Sequence, residues 1–333
     1  MRRSRIRNLS GFLRETFGSG VHKVGLWGGF SCPNRDGTLS SEGCSFCNPS
    51  SSRPASFAPG MDICTQLKKG CEFVYGRFGV TRFLPYFQDY TVTYGDPEKL
   101  LQTCSGVLEY PGVVGISLCT RPDCLGERVL DALEELAERT LLWVEVGVQT
   151  FDDALLRDMN RCHTAEDSLR AFESLHERKI LSAAHMILGY PGSTTGTAVE
   201  DAEKLRGTGT AGVKLQNFHV VRGTEMAERF RRGEFSELTL GSYVGTAVRF
   251  IEHTDPGAVI LRMTGHAPAD MTVAPGWSVR KGLALEAIWK EMESRDTWQG
   301  KGLGAKEDFL GSPPIAAGYL KPPETIAGTT PPE

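Results

Sequence analysis

Short apolar, β-branched runs alternate with longer stretches of helical periodicity from about residue 22 to residue 220. Such a rhythm marks βαβ units, in which parallel strands are joined by crossover helices. Six runs read as strands: VHKVGLWGGF, FLPYFQDYT, VVGISLCT, LLWVEVGVQT, ILSAAHMILG and GVKLQNFHV. Helices are predicted between them around residues 62–75, 96–107, 125–138, 164–178 and 197–207.

Alternate residues of a strand face opposite sides of a sheet, so each run assigns its own two faces. In the fourth run Leu142, Val144, Val146 and Val148 face the helices, leaving Trp143, Glu145, Gly147 and Gln149 for a barrel interior. In the third, Val114, Ile116 and Leu118 pack outward while Gly115, Ser117, Cys119 and then Arg121 turn inward. The fifth run places His185 inward with Ala183 and Ile187, and the sixth adds Lys214 and Gln216. A closed eight-stranded barrel fills its centre with Val, Ile and Leu. This centre is polar, so the pattern predicts an α/β fold of another kind, an open, partial (β/α)6 TIM-like barrel around a substrate cavity.

After residue 225 the rhythm changes. A charged helix, MAERFRRGEF, leads to an amphipathic stretch near 240–253, then VILRMTG and the helix GLALEAIWKEMES. The predicted organisation is a basic N-terminal arm (1–21), the barrel (22–225), a C-terminal α/β cap (226–298) and a flexible tail rich in Gly, Pro and Thr (299–333).

Composition fits this picture: 333 residues with 40% hydrophobic and 23% charged residues and a net charge of -4 suit a globular chain with a large core. No apolar run is long enough to span a bilayer, and the start MRRSRIRNLSGFLRE lacks the apolar core of a secretory signal. A cytoplasmic chain without membrane contact is expected. Nine cysteines, an odd number, then point to metal ligation or redox chemistry rather than disulfides. Arg2, Arg3, Arg5, Arg7 and Arg14 concentrate positive charge at one end, as a solvated arm or as phosphate contacts.

The segment GGFSCPNRDGTLSSEGCSFCNPSSS follows the first strand and carries Cys32, eleven residues, Cys44, two residues and Cys47. A four-iron cluster ordinarily takes four thiolates. Three leave one iron open to a reactant. The rival is a zinc loop completed by Cys162 or His163, although zinc loops usually pair a C-x2-C unit with a second unit or a His pair, and neither appears. Position at the C-terminal end of a barrel strand is where β/α enzymes place their chemistry. Phe46 either shields such a cluster or packs the loop. Of the remaining cysteines, Cys64, Cys71, Cys104 and Cys162 read as small packing residues. Cys119 and Cys124 flank the end of the third strand as candidate hydrogen donors, covalent acceptors or auxiliary ligands.

The loop GFSCPNRDG...GCSFCN resembles that of the radical S-adenosylmethionine (SAM) superfamily, and specifically of its YhcC/YtqA-like family. The likeness runs from residue 7 to 300 through YFQDYTVTY, CTRPDCL, WVEVGVQT, NRCH, HMILGYPG, KLQNFHVVRGT, RMTGHAP and APGWS. It implies a [4Fe-4S] cluster on Cys32, Cys44 and Cys47 and SAM on the open iron. It also implies one electron from a donor such as flavodoxin or ferredoxin, which cleaves SAM to methionine and a 5'-deoxyadenosyl radical. Gln149 in VGVQT and Arg161 in NRCH look like the SAM-contacting pair of the oxygen-independent coproporphyrinogen oxidase group. That group has a Glu where Cys119 stands here, so Arg121 or Gln88 is expected to supply the missing polar contact. Leu188, Gly189 and Pro191 in LGYPG resemble the turn that lies against adenine. His185, Lys214, His219, Arg262 and Thr264 remain as substrate contacts.

The eleven-residue gap is shared with elongator-type tRNA modification enzymes, so the resemblance implies a tRNA partner and chemistry on a wobble uridine. Two other readings stand beside it. One is a radical SAM enzyme acting on a small metabolite or peptide; the other is a binding module that keeps the loop as a structural zinc or iron-sulfur site.

Overall fold

The computed structural model describes residues 4–51, 60–88, 90–280 and 282–320. Its strands are β1 (Val21–Leu26), β2 (Arg82–Phe87), β3 (Gly115–Thr120), β4 (Leu141–Gln149), β5 (Ser182–Leu188), β6 (Gly212–Asn217), β7 (Val220–Val221), β8 (Val259–Arg262) and β9 (Thr272–Ala274). The helices are α1 (Leu9–Phe17), α2 (Ile63–Phe78), α3 (Pro97–Leu108), α4 (Glu127–Arg139), α5 (Asp153–Asp158), α6 (Ala165–Glu177), α7 (Thr195–Leu205), α8 (Glu225–Arg231), α9 (Leu240–Glu252) and α10 (Leu283–Ser294). None of them is long and apolar enough to cross a membrane.

One parallel sheet runs in the order β1-β2-β3-β4-β5-β6-β8, while β7 and β9 form a separate antiparallel pair. The sheet curls into a partial barrel. Lys23 of β1 reaches Glu145 of β4 at 2.5 Å, which strands three places apart in a flat sheet cannot do. The sequence pattern foresaw six strands. The seventh, β8, comes from the VILRMTG segment assigned to the cap, and it pairs with β6 from Gly212↔Val259 onward. Its apolar Val259 and Ile260 are buried, so the parallel sheet gains an edge that the βα rhythm alone did not announce.

The alternation of β3, β4 and β5 holds. Ile116, Leu118, Leu142, Val144, Val146 and Val148 pack in one core with Leu130, Leu133 and Leu136 of α4. Each such side chain, fully buried, contributes roughly 1.5–3 kcal/mol relative to exposure. The interior is layered. Its lower end is apolar: Trp143 packs with Leu84, Ala183, Ala211 and Phe12 of α1, the Phe12 ring edge-on at 6.0 Å. Gly212 makes room for this plug, since a Cβ there would stand 2.8 Å from the Trp143 ring. Above the plug the interior turns polar.

Two expectations about the chain ends change. The basic arm contains α1, capped by Asn8, whose Oδ1 accepts from the Gly11 N–H at 2.8 Å. Arg7 is buried and donates to the carbonyls of Phe309 and Ser312 at 3.1 and 2.7 Å, and Arg5 donates to that of Thr297 at 2.9 Å. These arginines close the N-terminus onto the C-terminal region instead of standing free for phosphate. Arg2 and Arg3 lie outside the described residues. Residues 299–320, foreseen within a flexible tail, are instead packed in short turns, because Phe309 and Ala316 are buried and Tyr319 donates to the Gly209 carbonyl at 3.1 Å. Residues 321–333 of that tail lie outside the described residues.

Candidate active site

The loop after β1 is tied down on every side. The Arg35 N–H donates to the Cys32 carbonyl at 2.9 Å and the Cys47 N–H to the Cys44 carbonyl at 2.9 Å, so each cysteine opens or closes a tight turn. Between them, the Ser45 N–H donates to Met159 and the Ser45 carbonyl accepts from Met226, both at 3.0 Å. Tyr190, fully buried, places its hydroxyl 3.2 Å from Ser45 Oγ and donates to Asp158 at 2.8 Å. Helices α5 and α8 and the turn after β5 thus clamp the cysteine loop over the C-terminal ends of the strands.

Cys32, Cys44 and Cys47 line one wall of a cavity of about 180 Å³. Gln88, Thr120, Arg121, Gly147, Gln149 and Arg161 line it above, and Tyr86, Cys119, Glu145 and His185 below. Among the described residues no three His, Cys, Asp or Glu side chains stand close enough to grip a single metal ion.

Cationic groups surround the thiols. Arg161 donates to Cys44 Sγ at 3.2 Å, to the Gly147 carbonyl at 2.6 Å and to His163 at 3.1 Å. Burial alone would push the Cys44 thiol up, but the charge and hydrogen bond of Arg161, with Arg121 and Asn34, hold it below its ordinary value. Desolvation and the neighbouring Cys44 push the half-buried Cys47 thiol up to about 11, against the charge and hydrogen bond of Arg35. Arg121 grips Asp123 through two bonds of 2.9 and 2.8 Å and donates to the Arg161 carbonyl at 2.6 Å. Its Nη1 is buried without a partner among the described residues, as is Gln149 Oε1. Gln149 ends β4 with φ 74°, a left-handed conformation that is uncommon for a residue with a side chain. Gly147 permits this crowding, because a Cβ there would lie 2.9 Å from Gln149 Nε2.

Below lies a charged floor. Glu145 accepts from Lys23 and Lys214, each at 2.5 Å, and from Ser117 Oγ at 2.6 Å. Burial would raise the Glu145 carboxyl, but Lys214 and then Lys23 overcome this and hold it well below the usual carboxylate range. The Tyr86 hydroxyl sits 2.8 Å from Cys119 Sγ and bonds to Lys214. Burial raises the Cys119 thiol to about 11. His185 shares Gln216 Oε1 with Arg262, at 3.0 and 2.7 Å, and burial followed by the charges of Lys214 and Arg262 keeps it neutral.

Of the residues singled out in the sequence, the fold brings Cys32, Cys44, Cys47, Gln88, Cys119, Arg121, Gln149, Arg161 and His185 onto this cavity. Lys214 supports it from behind. Cys124 does not line it; its carbonyl accepts from Thr93 at 2.7 Å and burial pushes its thiol up to about 12. Leu188 is packed in the core, and Gly189 and Pro191 line a neighbouring groove of about 450 Å³ with Phe218 and Leu238. His219 and Thr264 bond to Asn217. Tyr86 and Asn34 were not foreseen. Tyr86 was within reach of the sequence, since it shares its face of β2 with Leu84, whereas nothing in the loop composition marks Asn34.

Residues 38–205 match the family model described as "Radical SAM superfamily", and residues 210–294 match the "Radical_SAM C-terminal domain". The chain is 36% identical over 297 residues to the uncharacterized protein YtqA of Bacillus subtilis, covering 89% of this chain and 92% of that protein. A shorter match, 30% identical over 125 residues, joins 36% of this chain to 23% of a tRNA uridine(34) acetyltransferase of Methanocaldococcus jannaschii. The solved structure of an archaeal Elp3 from Methanocaldococcus infernus shares the fold, with a TM-score of 0.64 at 19% identity. That alignment covers 84% of this chain and 64% of the Elp3 chain, so about a third of Elp3 has no counterpart here.

Proposed function

The chain belongs to the radical SAM superfamily and, within it, to the YhcC/YtqA-like family, and on that premise we propose that it cleaves SAM reductively to modify a wobble uridine of tRNA. Its cofactors are those of the superfamily, a [4Fe-4S] cluster and SAM. The observation that carries the reading is the pairing of three loop thiols with two buried, unpartnered polar atoms on the same cavity. Cys32, Cys44 and Cys47 would each hold one iron and leave the fourth to SAM. Arg121 Nη1, a donor, suits the SAM carboxylate; Gln149 Oε1, an acceptor, suits a ribose hydroxyl. Three of the five N–H donors of Arg161 go to Cys44, Gly147 and His163, and these bonds hold the cluster loop against β4.

When bound and reduced by a donor such as flavodoxin or ferredoxin, the cluster supplies the electron that splits SAM into methionine and a 5'-deoxyadenosyl radical, which takes a hydrogen atom from substrate. The chain's own residues position and enclose. Glu145, clamped by two lysines and Ser117, fixes the floor on which substrate rests. His185 offers a neutral imidazole there. Cys119, kept protonated, bonded to Tyr86 and lining the cavity, would serve as the hydrogen donor to substrate.

Support for the tRNA substrate comes from the relative named as a tRNA uridine(34) acetyltransferase. A nucleobase handled this way must leave its stack to reach a cavity at the strand ends. Mass spectrometry of tRNA nucleosides from a deletion strain tests the substrate. An accumulated wobble-uridine precursor is expected, converted again when the wild-type gene is supplied and not when Cys44→Ala is. Unchanged wobble uridines overturn the tRNA reading in favour of a small metabolite or peptide.

A further inference from the structure

Cys44 differs from the other two loop cysteines in what touches its sulfur. Two N–H donors reach it, Arg161 at 3.2 Å and the Asn34 carboxamide at 3.4 Å. The Cys47 thiol is bonded by the charged Arg35 guanidinium, so what sets Cys44 apart among the described residues is a neutral amide donor beside a charged one. Asn34 has no exposed surface, and its orientation is set by chemistry, because the nitrogen that faces Cys44 also donates to the Asn160 carbonyl at 2.6 Å. Only the NH₂ end of a carboxamide can do so. Asn160, held at φ 52°, in turn donates to the Gly43 carbonyl at 2.7 Å, next to Cys44 itself. Asn34, Asn160 and Gly43 thus form a closed set of bonds that aims one amide hydrogen at one sulfur.

We propose that Asn34 is a positioning residue that sets the reduction potential of the cluster, by donating a hydrogen bond to the sulfur of Cys44. The proposal rests on the reading of Cys44 as a cluster ligand. An electron added to the cluster increases negative charge on its sulfurs, and a fixed N–H dipole stabilises that charge more in the reduced than in the oxidised state. The potential rises accordingly. Asn34 acts without a net charge, so it shifts the potential without altering the attraction for SAM, a distinction that Arg161 cannot make.

The test compares wild-type protein and Asn34→Leu, both reconstituted anaerobically with iron and sulfide, in redox titrations followed by electron paramagnetic resonance (EPR). Leucine keeps the branched heavy-atom shape and removes the donor. The expected result is the same iron and sulfide content and a ratio of reduced to oxidised cluster that falls about three- to tenfold at a fixed potential; tenfold corresponds to about 59 mV for a one-electron couple. A midpoint unchanged from wild type, with the cluster intact, overturns the proposal and leaves the cluster assignment standing. Wild-type protein that takes up no four-iron cluster overturns the assignment beneath it. A second measurement does not depend on the variant's folding: pulsed EPR of the reduced wild-type cluster, in protein labelled with ¹⁵N-asparagine, should show a ¹⁵N coupling. Its absence overturns the proposal as well.

Discussion

Replacing Glu145 with Gln removes the charge that holds two lysines inside the barrel. The carboxylate has no exposed side-chain surface, Lys214 is 5% exposed and Lys23 is 25% exposed, so the pair with Lys214 is the drier of the two. Breaking a buried ion pair by deleting one partner costs about 3–5 kcal/mol, because the charge left behind has no compensation. Here two ammonium groups are left, and Glu145→Gln is expected at the upper end of that range. Removing Lys214 as well, in Glu145→Gln with Lys214→Met, should recover about 2 kcal/mol or more, since one orphaned charge is gone. Urea unfolding of the cluster-free protein, followed by circular dichroism, measures both. The pH dependence has a definite sign. A carboxyl whose folded pKa is depressed gives its stability in full above its unfolded value of about 4.3 and loses it as pH falls through the folded value. The deficit of Glu145→Gln should therefore be constant from pH 8 down to pH 5 and shrink only in stronger acid. A deficit below about 1 kcal/mol at pH 7, or one abolished by 0.5 M salt, would refute the buried floor, because only a solvated pair is screened in that way.

Other expectations follow from the same geometry. Cys44→Ala should lose the visible absorbance of the reconstituted cluster, whereas Cys64→Ala, at an exposed position on α2, should keep it; equal loss would mean that the wrong ligands were chosen. Gln149→Ala should weaken SAM binding about tenfold by equilibrium dialysis while iron content stays unchanged, and unaltered affinity removes Gln149 from the SAM site. Gly212→Ala forces a methyl against the Trp143 ring and should lower stability by about 1–3 kcal/mol in the same unfolding assay, with no change if the plug is loosely packed.

The parallel sheet was legible because its strands carry two clean faces. Val144 and Val146 could belong only to a helix-covered side, and Glu145 between them only to an interior. The seventh strand was not, because VILR is a four-residue run reached from β6 through a longer connection, with β7, α8 and α9, than the repeats before it, and only its pairing with β6 defines it. The three loop cysteines could be chosen as candidate ligands by spacing, since one loop carries all three. The supporting atoms could not. Asn34 and Tyr190 act through contacts with Asn160 and Asp158, more than thirty positions away. The same holds at the termini, where Arg7 looks like free charge in the sequence but is spent on carbonyls of Phe309 and Ser312.

The central claim is that Cys32, Cys44 and Cys47 carry a cluster that cleaves SAM. Anaerobic incubation of the reconstituted full-length protein with dithionite and SAM, assayed for 5'-deoxyadenosine by liquid chromatography and mass spectrometry, tests it most directly. The account predicts 5'-deoxyadenosine from wild-type protein and none above background from Cys44→Ala. Absence of 5'-deoxyadenosine from wild-type protein with a full cluster under several reductants, or equal amounts from both proteins, would contradict it.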